Sequence, residues 1–336
     1  MTFDRQTSQE NLAAPLFQHS PCPLCGGKRT TQRYPINKDF PSRLSGFDLS
    51  QINIGIDSCS ACGHQFIQPV PTTKFLEAYY ASYMTEAKEN FYRDREVSKI
   101  PSIFRDSYGK RLSQIQRVLG ASGHLLDVGS GLGMFLRLAK ERGFEVSGVE
   151  PSAYAVKKLR DSHEIDAAQC FFEDFETVVR FDVITMWDFL EHLGEPVVAL
   201  RKAFSLLRPG GLLVVETPAR DSIVHWVAKF AYHATLGKVT QALNLTYGLH
   251  HLQYFSSRSL SAVIASAGFE VIECDRGATS LQDLGLIDTG SLRGFAKSLM
   301  IRMVFTLGSV TGKTNKVVVI ARRPAACIAE VATRCG

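Results

Sequence analysis

The sequence predicts an α/β fold in which a mainly parallel sheet is covered by helices on both faces. From residue 123 onward, segments rich in valine, isoleucine and leucine alternate with segments of helical periodicity. Near-continuous apolar strands separated by helices are typical of a parallel sheet that is buried on both faces. Two tight cysteine pairs precede this region and predict a separate small module.

Composition sets the limits of this expectation. With 336 residues, 45% of them hydrophobic, the chain can bury a large core and is expected to carry more than one domain. The net charge of +5 is spread along the chain, so a nucleic-acid partner is permitted but not indicated. Neither a signal peptide nor an apolar run of about 18 residues is evident. We therefore expect a soluble, cytoplasmic protein without a transmembrane segment; the oligomeric state does not follow from the sequence.

The N-terminal part divides into a tail and a cysteine-containing module. Residues 1–15 are polar and aperiodic, which predicts a disordered tail. Residues 16–73 contain both cysteine pairs. Within them, Ile52, Ile54 and Ile56 alternate with polar or small residues, which predicts a strand.

A helical lead-in and the main domain follow. Helices are expected over 74–84 and roughly 90–119, which makes 74–120 the lead-in to a domain over 121–323. Strands of the domain are expected at 124–128, 145–150, 167–171, 181–187, 211–217, 269–275 and 316–322. Helices are expected at 132–142, 152–162, 195–207 and 256–268.

Two insertions, 218–255 and 276–315, interrupt this alternation, and a tail is expected over 324–336. The first insertion carries Trp226 and Phe230 at helical spacing. It is expected to form a cap over the substrate pocket, although contact with a membrane surface or simple packing would also explain this stripe.

The two C-x-x-C pairs, CPLC and CSAC, predict a zinc site. Each pair is followed by glycine, which lets backbone amides turn toward the thiolates, and four thiolates form a closed structural site. A redox C-x-x-C would sit at a helix start and would not be duplicated. The 33 residues between the pairs must hold a hairpin. We expect Cys22, Cys25, Cys59 and Cys62 to bind structural Zn²⁺, with His64 as a bystander.

A glycine turn predicts a nucleotide-type ligand. In LLDVGSGLGMF an apolar strand runs into Gly129, Gly131 and Gly133. A dinucleotide fold would carry its third glycine where this chain has Met134. Asp127 would repel a pyrophosphate, but it suits a ligand with a positively charged amine. S-adenosylmethionine carries such an amine and no phosphate.

Glu150 ends the next predicted strand, 23 residues after Asp127. A carboxylate at this position can accept hydrogen bonds from both ribose hydroxyls. The feature fits NAD and S-adenosylmethionine alike, so it supports an adenosine ligand without distinguishing the two. Alone, Glu150 would read equally well as a solvated acid at the end of a strand.

Four motifs in order carry a family resemblance. LLDVGSGLGMF, VSGVEPS, FDVITMWDFLEHLGEP and LLRPGGLLVVETP resemble successive motifs of class I S-adenosylmethionine-dependent methyltransferases. The resemblance covers about 121–323 and implies a Rossmann-like seven-stranded sheet with helices on both faces and an antiparallel last strand. It further implies that Asp127 and the backbone from Gly129 through Ser130 and Gly131 to Gly133 hold the methionine moiety, and that Glu150 holds the ribose.

The adenine contact departs from the family pattern. The position that often carries an acid is Phe171, so the resemblance implies apolar packing by Phe171 or Phe172, with Glu173 or Asp174 as a polar substitute. It also implies that Met186 and Trp187, at the end of the fourth strand, line the cofactor. Plain core packing is an equal alternative for Met186.

Histidines are the candidates for removing the acceptor's proton, because imidazole titrates near neutral pH. The resemblance implies that His251 lies close to the active site, and we expect it to be the general base, with His192 and Glu191 lining the pocket. Alternatively these histidines only form structural hydrogen bonds and the proton leaves to water. His250 is a further candidate, whereas His225 and His233 read as surface or packing residues.

A zinc ribbon before such a domain resembles bacterial enzymes that methylate sugars or secondary metabolites. The expected function is therefore methyl transfer from S-adenosylmethionine to a small-molecule or sugar-type acceptor in a biosynthetic pathway. The alternatives are an RNA methyltransferase that grips RNA with its ribbon, an NAD-dependent oxidoreductase, and a scaffold that has lost catalysis. The sequence does not distinguish O-, N- and C-methylation.

Overall fold

The computed structural model describes residues 16–36, 49, 52–72, 75–76, 102–238, 240–248, 251–278 and 292–325. Several predictions lie outside the described residues: the tail over 1–15, most of the helix over 74–84, the part of the second lead-in helix before residue 102, His250, and residues 326–336 of the C-terminal tail. Among the described helices, none is long and apolar enough to cross a membrane.

The described elements alternate largely as expected. The strands are β1 (Phe17–Gln18), β2 (Thr30–Pro35), β3 (Gly55–Cys59), β4 (Gln65–Gln68), β5 (Val70–Pro71), β6 (His124–Val128), β7 (Glu145–Val149), β8 (Asp166–Ala168), β9 (Phe181–Trp187), β10 (Leu207–Pro218), β11 (Gln253–Tyr254), β12 (Glu270–Gly277) and β13 (Lys316–Arg322). The helices are α1 (Ser102–Leu119), α2 (Met134–Glu141), α3 (Ala153–His163), α4 (Pro196–Leu206), α5 (Ile223–Ala234), α6 (Gln241–Thr246), α7 (Ser257–Ser266) and α8 (Leu292–Val310). Short 3₁₀ turns span Phe172–Asp174 and Leu190–His192.

The main sheet has seven strands in the order β12-β13-β10-β9-β6-β7-β8. Neighbours from β10 through β8 are parallel, whereas β13 lies between β10 and β12 and runs antiparallel to both. This arrangement confirms the predicted Rossmann-like α/β fold, including its antiparallel last strand.

Burial of both sheet faces explains the near-continuous apolar strands. Successive side chains of a strand point to opposite faces. In β6, Leu126 and Val128 join one buried cluster and Leu125 joins the other. In β9, Ile184 and Val183 divide in the same way. Helices therefore cover the sheet on two sides, and the carboxyl ends of β6 and β9 emerge next to each other.

In the main sheet, two strand boundaries differ from the prediction by three or more residues. β8 stops at Ala168 rather than at residue 171, because the chain turns toward the 3₁₀ turn that buries Phe172. β10 begins at Leu207 rather than at residue 211 and contains a bulge before Leu212. The Gly210 amide donates to the Arg323 carbonyl over 2.9 Å, which extends the pairing of β10 with β13 through the predicted turn.

The cysteine module and the first insertion share one sheet and one core. The small sheet has the order β11-β4-β3-β2, so its last strand comes from the end of the insertion. Tyr34 of β2 stacks on Tyr247, with ring centroids 5.4 Å apart. Ala228 of α5 is buried in the same apolar cluster. The insertion is thus partly a strand of the ribbon sheet and not only a helical segment.

Candidate functional site

The glycine turn follows β6 and has left-handed backbone conformations that only glycine adopts readily. The φ angles of Gly129, Gly131 and Gly133 are 73°, 52° and 71°. A Cβ on Gly129 would lie 2.9 Å from the Phe189 ring, and one on Gly133 would lie 2.2 Å from Leu159 Cδ2. The turn therefore needs glycine both for its conformation and for its close neighbours.

Asp127 is buried at the base of this turn. Its Oδ1 accepts a hydrogen bond from Thr185 Oγ1 over 2.6 Å. Burial raises the pKa of Asp127 to about 7; the Thr185 hydrogen bond opposes this increase, and the nearby charge of Glu150 adds to it. A ligand with a positive charge beside Asp127 would favour the ionised carboxylate.

Glu150 follows β7 and faces the same turn. Its Oε2 accepts from the Gly131 amide over 3.0 Å, and its Oε1 accepts from the Ser152 amide over 3.0 Å. A carboxylate at this position is a hydrogen-bond acceptor of the kind that ligand hydroxyls require. Ser130 Oγ is buried and has no hydrogen-bond partner within the described part of the chain, which leaves a polar atom available in this turn.

The aromatic and apolar residues expected to line the cofactor lie on both faces of the sheet, near the ends of its strands. Trp187 is half-buried against Phe135, with ring centroids 4.8 Å apart, and among the described residues its Nε1 has no hydrogen-bond partner. Met186 is fully buried in the apolar cluster on the opposite face of the sheet. Phe172 is buried with its ring nearly perpendicular to that of Phe189, whereas Phe171 is 40% exposed.

Glu191, His192 and His251 form a second cluster at the same edge of the sheet. His251 Nε2 lies 4.0 Å from Glu191 Oε1, and the rings of His192 and His251 are 4.9 Å apart between centroids. All three can offer ligand atoms within 4.8 Å of one another, so the cluster could also hold a divalent metal. The structure thus brings together the residues that the sequence placed in the acceptor pocket.

Charged side chains surround the buried Glu191. Its pKa is raised to about 8 by burial and by the charge of Asp188, while Lys316 opposes the increase. Lys316 pairs with Asp188, and the charge of Glu216 also faces it. Sequence reasoning missed Lys316, although a lysine at the first position of an otherwise apolar strand is an available signal.

His225 belongs to a different environment. It is buried on the inner side of α5, and its Nδ1 lies 3.0 Å from Ser222 Oγ. Burial lowers its pKa to about 3, with Lys229 and Arg220 contributing further. This neutral, buried imidazole is consistent with the predicted packing role.

The four predicted metal ligands converge. Cys22 Sγ lies 3.6 Å from Cys62 Sγ, and Cys25 Sγ lies 3.6 Å from Cys59 Sγ. All four sulfur atoms lie within 4.8 Å of one another. Tetrahedral zinc with Zn–S bonds of about 2.3 Å requires sulfur atoms roughly 3.8 Å apart. The donor set and its spacing therefore fit zinc.

Hydrogen bonds link His64, which follows this cysteine cluster in the chain, to the 3₁₀ turn that carries Glu191. His64 Nε2 lies 3.0 Å from Gln253 Oε1, and Gln253 Nε2 donates to the Leu193 carbonyl over 3.0 Å. The Leu252 amide donates to the Glu191 carbonyl over 2.8 Å. His64, which was expected only to lie near the zinc site as a bystander, thus connects the cysteine module to the turn that carries Glu191.

Comparison with known proteins gives a consistent result. A family model described as "Methyltransferase domain" matches residues 102–274. A ubiquinone biosynthesis O-methyltransferase of Xanthomonas axonopodis pv. citri is 30% identical over 163 residues, 46% of this chain and 66% of that protein. One of the same name from Pseudomonas paraeruginosa is 30% identical over 195 residues, 55% of this chain and 81% of that protein. The chain thus spans just under two thirds of the Xanthomonas relative.

Among solved structures, an S-adenosylmethionine-dependent methyltransferase from Archaeoglobus fulgidus is similar to this chain. The TM-score is 0.44 at 18% sequence identity, covering 65% of this chain and 96% of that one.

Proposed function

Because the chain belongs to the class I S-adenosylmethionine-dependent methyltransferases, we propose that it transfers a methyl group from S-adenosylmethionine to a small-molecule or sugar-type acceptor in a biosynthetic pathway. The observation that carries this proposal is that two clusters meet at one edge of the sheet. The glycine turn follows β6, and Glu191, His192 and His251 lie beyond the neighbouring parallel strand β9. Ligands of open α/β sheets bind at this edge.

The glycine-turn residues fit the methyl donor. Asp127 supplies a buried carboxylate for the amine of the methionine moiety, and Ser130 Oγ supplies a buried polar atom that has no partner among the described residues. Glu150 is fixed by two backbone amides, and its carboxylate is the acceptor proposed for the ribose hydroxyls. Trp187 offers an indole N–H and a half-buried ring nearby. When bound, S-adenosylmethionine supplies a methyl carbon on a sulfonium sulfur.

The acceptor side requires a group that takes a proton. Methyl transfer from the bound donor would join the acceptor's nucleophilic atom to the methyl carbon, would leave the electron pair of the broken carbon–sulfur bond on sulfur, and would require the acceptor to lose its proton. His251 takes the acceptor's proton at Nε2 and later releases it to water. The buried Glu191, 4.0 Å away, then stabilises the imidazolium when its own carboxylate is ionised. Lys316 favours that ionised state.

Support for the acceptor class comes from the relatives and from the resemblance. Both curated relatives are named O-methyltransferases of ubiquinone biosynthesis, which supports a small-molecule acceptor. The sugar-type alternative is supported by the ribbon that precedes the domain, an arrangement similar to bacterial sugar methyltransferases.

The Cys22, Cys25, Cys59 and Cys62 cluster is proposed to bind zinc structurally, since four thiolates leave no open coordination position.

Binding and turnover measurements test the proposal. By calorimetry, S-adenosylhomocysteine should bind and NADH should not; the reverse result would refute the methyltransferase assignment. With radiolabelled S-adenosylmethionine and a panel of phenolic and nucleotide-sugar acceptors, His251→Ala should lower turnover by about 10²–10⁴-fold while S-adenosylhomocysteine binding is kept. His233→Ala, at an exposed position of α5, is the matched control. Full turnover in His251→Ala would show that this histidine is not the base.

A further inference from the structure

Helices α5 and α8 present large apolar side chains to solvent. On α5, Trp226 is 60% exposed and Phe230 is 75% exposed, with Val227 beside them. On α8 the exposed apolar residues are Phe295, Leu299, Met300, Met303, Leu307 and Val310. We call these nine side chains the α5–α8 face. Single exposed apolar residues are ordinary, but a group of this size marks an interaction surface.

The fold does not need these side chains for its own packing. The opposite sides of the two helices already face the protein: Ala228 and His225 of α5 are buried, and so is Ser298 of α8. A Cβ on Gly308 would lie 2.8 Å from Ile223 Cγ2, so α8 packs closely against the start of α5. The two exposed stripes therefore belong to neighbouring helices whose inner sides are already covered.

The charge pattern of the two segments that carry the face is one-sided. The chain has 33 acidic residues, yet none lies in 222–269 or in 289–325. Basic residues accompany the apolar ones: Lys238, Arg302 and Lys313 are exposed. Lys313 Nζ lies 5.1 Å from the centre of the Trp226 ring, which places a cation directly beside an exposed aromatic side chain.

We propose that the α5–α8 face binds the surface of an anionic lipid bilayer. Aromatic and aliphatic side chains enter the boundary between headgroups and acyl chains, while Lys and Arg attract anionic headgroups. The proposed binding is peripheral, because the face lies on the solvent side of two helices that pack on the fold by their other sides. A second copy of the chain fits less well, since a two-fold contact would place this acid-free, basic face against itself.

Vesicle binding tests the proposal with the full chain. The protein should bind vesicles of phosphatidylcholine mixed with phosphatidylglycerol at least about tenfold more tightly than vesicles of phosphatidylcholine alone, because each basic residue near an anionic surface contributes about a fivefold factor. Trp226 emission should shift to the blue on binding. The double variant Trp226→Ser/Phe230→Ser should weaken binding at least about tenfold through lost apolar burial. Added salt should weaken binding as well.

Matched controls make the result specific. Val178→Ser/Val198→Ser removes two exposed apolar side chains elsewhere, 95% and 52% exposed, and should leave vesicle binding unchanged. Retained S-adenosylhomocysteine binding in both double variants shows that each is folded. Equal affinity for the two kinds of vesicle, or no binding to either, would overturn the proposal. So would a concentration-dependent dimer that Trp226→Ser/Phe230→Ser dissociates, or a Trp226 that acrylamide cannot quench in the free protein.

Discussion

Replacement of Asp127 by Asn removes the buried carboxyl group proposed to bind the methionine amine. The change keeps the size of the side chain, and it keeps an oxygen that can accept a hydrogen bond from Thr185 Oγ1. In the wild-type protein this hydrogen bond to Asp127 Oδ1 is 2.6 Å long. It removes only the group that can become negatively charged. The variant therefore separates the electrostatic role of Asp127 from its packing role.

The size of the effect follows from the pKa of Asp127, which burial raises from 3.8 to about 7. A shift of this size opposes ionisation in the free protein by about 4 kcal/mol, at roughly 1.4 kcal/mol per pKa unit. About one molecule in ten then has an ionised Asp127 at pH 6, and about nine in ten at pH 8. A ligand amine that requires the ionised form should bind about tenfold more tightly at pH 8 than at pH 6.

Calorimetry with S-adenosylhomocysteine measures this effect. At pH 6 the wild-type protein should release close to one proton on binding, seen as a binding enthalpy that depends on the buffer. Asp127→Asn should bind more weakly and show neither this proton release nor the tenfold increase in affinity. Asp161→Asn, which alters an exposed acid paired with Lys157, should behave as wild type. A wild-type affinity that is flat from pH 6 to pH 8 would refute the reasoning.

The same shift predicts the pH dependence of folding. Native Asp127 keeps its proton up to about pH 7, whereas the unfolded chain loses it near 3.8. The native state thus binds more protons in this window, so the free energy of unfolding falls as pH rises through it. The free energy of unfolding of Asp127→Asn should not fall in this way. Between pH 4 and pH 8 the variant should therefore become more stable relative to the ligand-free wild type. Urea denaturation at several pH values measures the difference.

Two further predictions concern the glycine turn and the cysteine cluster. Gly133→Ala should lower the free energy of unfolding in urea by about 2–4 kcal/mol, because φ is 71° and the new Cβ would meet Leu159 Cδ2 at 2.2 Å. Gly120→Ala, with φ of 81° and open space around it, should show only the backbone part, and equal losses would contradict the packing argument. Elemental analysis should find one zinc per chain, and its removal by a chelator should lower the thermal midpoint and acceptor turnover but not S-adenosylhomocysteine affinity. A loss of that affinity in step with zinc content would contradict the separation of the two sites.

Local sequence patterns were sufficient for much of the fold. Strands β6, β9 and β13 begin and end where the apolar runs predict, at 124–128, 181–187 and 316–322. Each run is short, rich in branched aliphatic residues and bounded by polar or small residues, so both its type and its limits are local properties. β8 was predicted too long because Phe171 and Phe172 extend the apolar run, although burial of Phe172 is achieved in a turn.

Long-range pairing accounts for what the sequence did not predict. Lys316 contacts Asp188, which is 128 positions earlier, and this contact exists only because β13 enters the sheet antiparallel to β10. The N-terminal end of β13 therefore meets the carboxyl ends of the parallel strands. No spacing within either segment carries that information. The pairing of Gln253 with Phe66 is long-range in the same sense, since it joins the insertion to the cysteine module.

That second pairing explains how the proposed zinc site would influence the proposed reaction at a distance. Cys59 and Cys62 fix the loop that leads to His64, which contacts Gln253 over 3.0 Å. Gln253 is buried, so its amide must satisfy its hydrogen bonds within the protein, and it does so between His64 and the Leu193 carbonyl. Two residues before Gln253 stands His251, and the turn that ends at Leu193 carries Glu191. Displacement of the cysteine loop would therefore move both proposed partners in proton transfer, whereas the glycine turn is held by β6 and β7. The cysteine module is in this way a support for the acceptor side of the site.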